Sequence, residues 1–194
     1  MPFGAGDGKT PDNEAKTGRL APLVNAIKNA VPELFVFEDI NQMPPEDAKA
    51  ILLPMGTQAL LTFLIEPGET KRHEILRSGK AMPIVHRCLD QGAQAEYGAT
   101  KDFCDLYITS RSPYFFNGGN TAGFVGGSHA AMEESVLHVF CALMGKGIKK
   151  GVSVREKTDL TCFAPTLAKL MGIDAPKDAT GAAMTAILEE ERLT

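Results

Sequence analysis

The stretch "QALLTFLIEPGETKRHEILRSGKAMPIVHRCL", residues 58–89, contains the alternation of elements that decides the fold class. It opens with an apolar run that ends at a Pro-Gly pair, a pattern typical of a strand followed by a turn. The charged segment "ETKRHEILRSG" then predicts a short helix, and "MPIVHRCL" predicts a second strand. Strand, helix and strand in succession indicate an α/β layered fold.

The segments on either side continue this alternation. In "RLAPLVNAIKNAVPEL" (19–34) the apolar residues recur at helical spacing, so we expect a helix that stops near Pro32. We expect strands in "LFVFEDI" (34–40) and "FCDLYITS" (103–110). The Pro-rich, acidic start of "PPEDAKAILLPMG" (44–56) favours a helix there. The pattern predicts a layered αβα sheet, mixed or mostly parallel, with helices on its faces.

Past residue 135 the sequence predicts one more strand and two more helices. "VLHVFCALMG" (136–145) has the composition of a buried strand. "TDLTCFAPTLAKLMGI" (158–173) predicts a helix that is capped by Thr158 or Asp159 and ended by Gly172. "GAAMTAILEEERL" (181–193) predicts a last amphipathic helix. Residues 1–18 lack apolar periodicity, so we expect a flexible amino-terminal arm followed by a single α/β domain over 19–194.

Composition excludes several classes of protein. The chain has 194 residues, 44% of them apolar and 23% charged, which is typical of one soluble globular domain. Its formal net charge is −4 and its Lys and Arg residues are scattered, so we expect no nucleic acid as partner. No apolar run reaches the ~18 residues that a membrane helix needs, and the amino terminus does not resemble a signal peptide. We therefore expect a cytoplasmic protein without a membrane partner.

The four cysteines, Cys88, Cys104, Cys141 and Cys162, show no CxxC spacing. Most of them fall in or beside apolar runs. We interpret them as free, mostly buried thiols in a reducing compartment, in preference to disulfides or a zinc site.

The sequence contains two kinds of candidate site, a glycine-rich segment that could be a phosphate loop and four histidines. "FGAGDGKT" near the amino terminus fails as a phosphate loop, because the position that needs the first glycine is Phe3 and no strand precedes it. His73, His86 and His138 are each explained by a surface or strand position. His129 differs from them, because it follows a glycine pair in "GGSHAAM" and precedes an acidic pair and the apolar run.

The order of short motifs around and after His129 carries a resemblance to a known family. It resembles the carboxy-terminal part of the alkaline phosphatase superfamily, most closely the type I phosphodiesterase/nucleotide pyrophosphatase branch, over roughly residues 60–190. The matching motifs are Gly127-Ser128-His129, Gly145-Lys146-Gly147, Lys149-Lys150-Gly151, Ala164-Pro165-Thr166-Leu167, Leu170-Met171-Gly172-Ile173 and Pro176.

The resemblance implies an alkaline phosphatase-like partial domain with a metal-dependent chemistry. Members of the family are two-zinc hydrolases in which a Thr or Ser attacks phosphorus and the metals stabilise the developing charge. By this resemblance His129 is the late histidine that completes one zinc site. The implied substrate is a small phosphate ester or phosphodiester, and sulfate and phosphonate esters remain open.

The departures from the family pattern concern the other catalytic groups. The nucleophile, the first metal-binding Asp, the Asp-x-x-x-His pair and the Asp-His-Gly motif have no counterpart here, and Ala130 stands where the family has Gly. We expect either the carboxy-terminal part of a hydrolase, inactive as this chain alone and possessing a divalent metal only in the complete enzyme, or a non-catalytic binding or oligomerisation module. Because strands of the family's sheet are missing, we also expect a homo-oligomer.

Overall fold

A computed structural model describes residues 20–38, 41–111, 114, 116 and 132–189 of the chain. The described residues form an α/β protein that divides into two compact units, Met1–Val139 and Phe140–Thr194, and each unit is treated by itself below. The predicted arm at residues 1–18 lies outside the described residues. None of the helices in the described ranges is long and apolar enough to cross a membrane.

The first unit is built from a five-stranded sheet and short helices. In chain order its described elements are α1 (Leu20–Ala30), β1 (Leu34–Val36), β2 (Ala50–Met55), β3 (Gln58–Phe63), α2 (Glu69–Ala81), β4 (Val85–Asp90), α3 (Gln91–Ala95), β5 (Leu106–Ser110) and α4 (Glu134–Leu137). The helices predicted before Pro32 and after the Pro-Gly turn, and four of the predicted strands, are confirmed.

The sheet is mixed, but mostly antiparallel. Its strand order is β1-β2-β3-β5-β4, and only β1 and β2 run parallel among these five strands. Of the two alternatives expected from the sequence, a mixed sheet is confirmed and a mostly parallel sheet is wrong. The physical reason is the two-residue connection Gly56–Thr57, which forces β2 and β3 into a hairpin, since parallel neighbours need a crossover of a dozen residues or more.

The helix predicted from residue 44 to Pro54 is also wrong, because its apolar half forms β2. Ala50 and Leu52 are fully buried while their neighbours are less so, which is the two-residue period of a strand. Gly56 takes a φ of 67° and allows the tight turn into β3. Pro54 is tolerated because β1 pairs only with residues 50–52, so that β2 has one neighbour at that point.

The core of the first unit lies between α1, α2 and one face of the sheet. The amphipathic helix α1 buries Leu23 and Ile27, each at most 1% exposed. The central strands contribute small and branched residues that are fully buried: Ala50, Leu52, Ala59, Leu61 and Ile108. Burial of each large aliphatic side chain contributes about 1.5–3 kcal/mol, so this cluster is the main source of stability in the unit.

The second unit contains a short helix and a small two-stranded contact. Gly147 accepts a hydrogen bond from the Glu189 amide at 3.0 Å, and the Lys149 amide donates to Ile187 at 2.9 Å. Ile148 and Leu188 form the bridge between these two hydrogen bonds, and both are buried. This pairing anchors the Gly- and Lys-rich turn to the segment near the carboxy terminus.

The helix predicted over 158–173 is confirmed in the second unit. A 3-10 turn, Leu160–Cys162, leads into α5, Phe163–Met171. The Asp159 carboxylate accepts a hydrogen bond from the Thr161 amide at 2.8 Å, which also lowers the pKa of Asp159. Gly172 ends the helix in the left-handed region, at a φ of 70°, where glycine is favoured.

Two other predictions for the carboxy-terminal part are wrong. Residues 138–144 form no strand, and Phe140 in that segment is 94% exposed. A strand needs a neighbour for its backbone hydrogen bonds, and none of the described strands pairs with this segment. Of the predicted last helix only a 3-10 turn, Thr185–Ile187, appears before residue 190, because residues 187–189 pair with 147–149 instead.

Two adjacent hydroxyl groups on β5 should have opposite effects on the free energy of unfolding. Thr109 and Ser110 are both fully buried, and the Ser110 hydroxyl donates to the Tyr114 carbonyl oxygen at 2.6 Å, whereas the Thr109 hydroxyl has no partner among the described residues. We expect Thr109→Val to raise the free energy of unfolding by about 1 kcal/mol, because it removes a buried unpaired hydroxyl at constant shape. Ser110→Ala should lower it by about 1 kcal/mol. Urea denaturation measures the change in the free energy of unfolding for both variants. A loss of stability in Thr109→Val would contradict the assignment of an unpaired Thr109 hydroxyl.

Candidate metal site

The predicted metal ligand His129 lies outside the described residues, together with Gly127 and Ser128. Its assignment as a zinc ligand therefore stays a prediction from the sequence. Among the described residues there is no group of three or more His, Cys, Asp or Glu side chains that could hold a metal ion. A catalytic zinc takes three protein ligands, so the described ranges do not supply that set.

The structure describes the positions of the other three histidines. His73 is exposed on α2. His86 is half-buried on β4, and its Nε2 lies 3.3 Å from the Met132 carbonyl oxygen, a contact that requires the proton on that nitrogen. His138 places Nδ1 3.1 Å from the Glu134 carboxylate, one turn away along α4.

The densest polar cluster of the described residues joins Glu66, Arg72 and Asp105. The Arg72 guanidinium donates to Glu66 and to Asp105, each at 2.7 Å, and it lies 4.8 Å from the centre of the Phe63 ring. These three charged residues come from the turn after β3, from the first part of α2 and from the residue before β5. Sequence analysis missed this cluster, because the partners of Asp105 are distant along the chain.

The Asp105 carboxylate is buried and accepts hydrogen bonds from several directions. Its second oxygen accepts from the Phe63 amide at 2.7 Å, and the Gln91 side chain approaches the first at 3.4 Å. Hydrogen bonding to Glu66, the larger effect, and then to Asp105 raises the pKa of Arg72, and hydrogen bonding by Arg72 lowers the pKa of Glu66. The contacts of Arg72 and Asp105 join the end of β3, the start of α2 and the segment before β5. The cluster therefore has the properties of a structural clamp.

Gln94 extends this cluster toward a buried thiol. Its side-chain amide donates to the carbonyl oxygens of Leu89 at 3.0 Å and Cys104 at 3.2 Å, and the Cys104 thiol lies 3.5 Å from the Gln94 carbonyl oxygen. Gln94 is itself buried. The network joins α3 to the segment that leads into β5.

The four cysteines are free, as predicted, but only two of them are buried. Burial raises the pKa of Cys88 to about 12 and that of Cys104 to about 12, so both thiols stay neutral at physiological pH and are poor nucleophiles. Cys162 is half-buried. Cys141 is exposed, contrary to the prediction, because the strand that would bury it does not form.

Neutralising each carboxylate of the cluster in turn tests which ion pair contributes more to the free energy of unfolding. We expect Asp105→Asn to lower the free energy of unfolding by about 1–3 kcal/mol, because the amide nitrogen cannot accept the hydrogen bonds that the buried carboxylate accepts. Glu66→Gln should have a clearly smaller effect, since the Glu66 side chain is 61% exposed and solvent screens its charge. Equal losses in the two variants, measured by urea denaturation at pH 7, would count against the clamp.

Thiol titration at pH 8 tests the burial of the cysteines. We expect 5,5′-dithiobis(2-nitrobenzoate) to react rapidly with Cys141, more slowly with Cys162, and with Cys88 and Cys104 only in denaturant. The order follows from access and from the small thiolate fraction of a thiol whose pKa is about 12. The rapid phase should vanish in Cys141→Ser. Its persistence in that variant would show that one of the other three thiols is more accessible than the structure indicates.

Comparison with known proteins does not extend these assignments: no protein-family model, no curated protein and no solved structure matches this chain. The clamp, the buried thiols and the anchored Gly- and Lys-rich turn are therefore interpreted from their own geometry.

Proposed function

We propose that this chain is the carboxy-terminal part of a metal-dependent hydrolase of phosphate esters or phosphodiesters, with an alkaline phosphatase-like partial domain. In this proposal His129 is one protein ligand of a divalent metal, with zinc the expected ion, and the substrate is a small-molecule phosphate ester. The observation that carries it is the ordered series of motifs from the Gly-Ser-His segment at 127–129 to Pro176. We also propose a cytoplasmic location, without a nucleic acid or a membrane as partner.

Several of these motifs lie in the described part of the second unit. Lys149 is the last residue of the segment 147–149 that pairs with 187–189, and Lys150 and Gly151 form the turn after it. The helix that follows this turn, α5, is capped by Gly172. Within α5, Thr166 is buried, and its hydroxyl donates to the Cys162 carbonyl oxygen at 2.6 Å and accepts from the Met184 amide at 2.8 Å. This residue of the Ala-Pro-Thr-Leu motif ties the helix to the segment that follows Pro176.

The sequence around His129 suits a metal ligand. The glycines at 126 and 127 place no side chain beside the backbone that would carry the imidazole toward a metal. A neutral imidazole binds zinc through a ring nitrogen, so metal binding by a histidine weakens when the ring is protonated. A bound zinc would supply Lewis-acid activation of the hydroxyl nucleophile.

This chain alone should not turn over a phosphodiester, because its sequence lacks the family's nucleophile and most of its metal ligands. The alternative function is a non-catalytic binding or oligomerisation module derived from the same fold. The exposed apolar residues of the second unit favour this alternative, since soluble proteins seldom leave large apolar patches uncovered.

Hydrolysis of bis-p-nitrophenyl phosphate in the presence of zinc or manganese tests the proposal. We expect no turnover by this chain alone and turnover by the product of the intact gene, with any coding sequence that precedes residue 1. In that product His129→Ala should lower kcat/KM by at least about 100-fold, because loss of a metal ligand costs more than loss of a supporting residue. His73→Ala, at an exposed histidine of α2, should leave kcat/KM unchanged and is the matched control.

Two results would contradict the proposal that this chain is part of a hydrolase. One is an intact gene product that hydrolyses no phosphate, sulfate or phosphonate ester with any divalent metal. The other is hydrolysis that His129→Ala leaves unchanged while zinc content, measured by atomic emission, also stays the same.

A further inference from the structure

We draw no further inference here: the strongest candidate, the apolar surface patch formed by the exposed side chains of Val139, Phe140 and Met144 in the segment between α4 and the Gly- and Lys-rich turn, carries none, because nothing in the described part of the chain shows what covers it.

Discussion

The buried carboxylate of Asp105 is the constraint on which the architecture of the first unit depends. A charge in that position must be paired, and the pairs available are the Arg72 guanidinium at the start of α2 and the Phe63 amide at the end of β3. Meeting both requirements brings the segment before β5 beside the end of β3. The register that follows places Leu61 opposite Leu106 and buries both side chains against α1 and α2.

The second unit depends on fewer interactions. Thr166 joins α5 to the segment around Met184, and the bridge between Ile148 and Leu188 holds the Gly- and Lys-rich turn. Most of its large apolar side chains remain exposed, including Phe140 and Met144. Burial of apolar area is the main favourable term in folding. Because the second unit buries little apolar area, a partner that covers its exposed apolar side chains would stabilise its folded state.

The two candidate functions place different demands on this surface. A hydrolase needs further metal ligands and a nucleophile in addition to His129, and its sheet would be completed by strands that this chain does not encode. An interaction module needs only the exposed apolar side chains. Both are consistent with an α/β protein, and they differ in what would cover the apolar residues of the second unit.

The sequence by itself determined the elements whose stability is local. The apolar period of α1, the Pro-Gly turn before α2, the Asp159 cap of the 3-10 turn and Gly172 at the end of α5 all act within a few residues of the chain. Only the tertiary structure decided that the apolar run of residues 50–55 is a strand, since its hairpin partner outweighs the Pro-rich, acidic start that favours a helix. It also decided that residues 138–144 lack a partner, which exposes Cys141. The Asp105 clamp could not be predicted, because its contacts join residues 33 and 42 positions apart and no local pattern records such pairs.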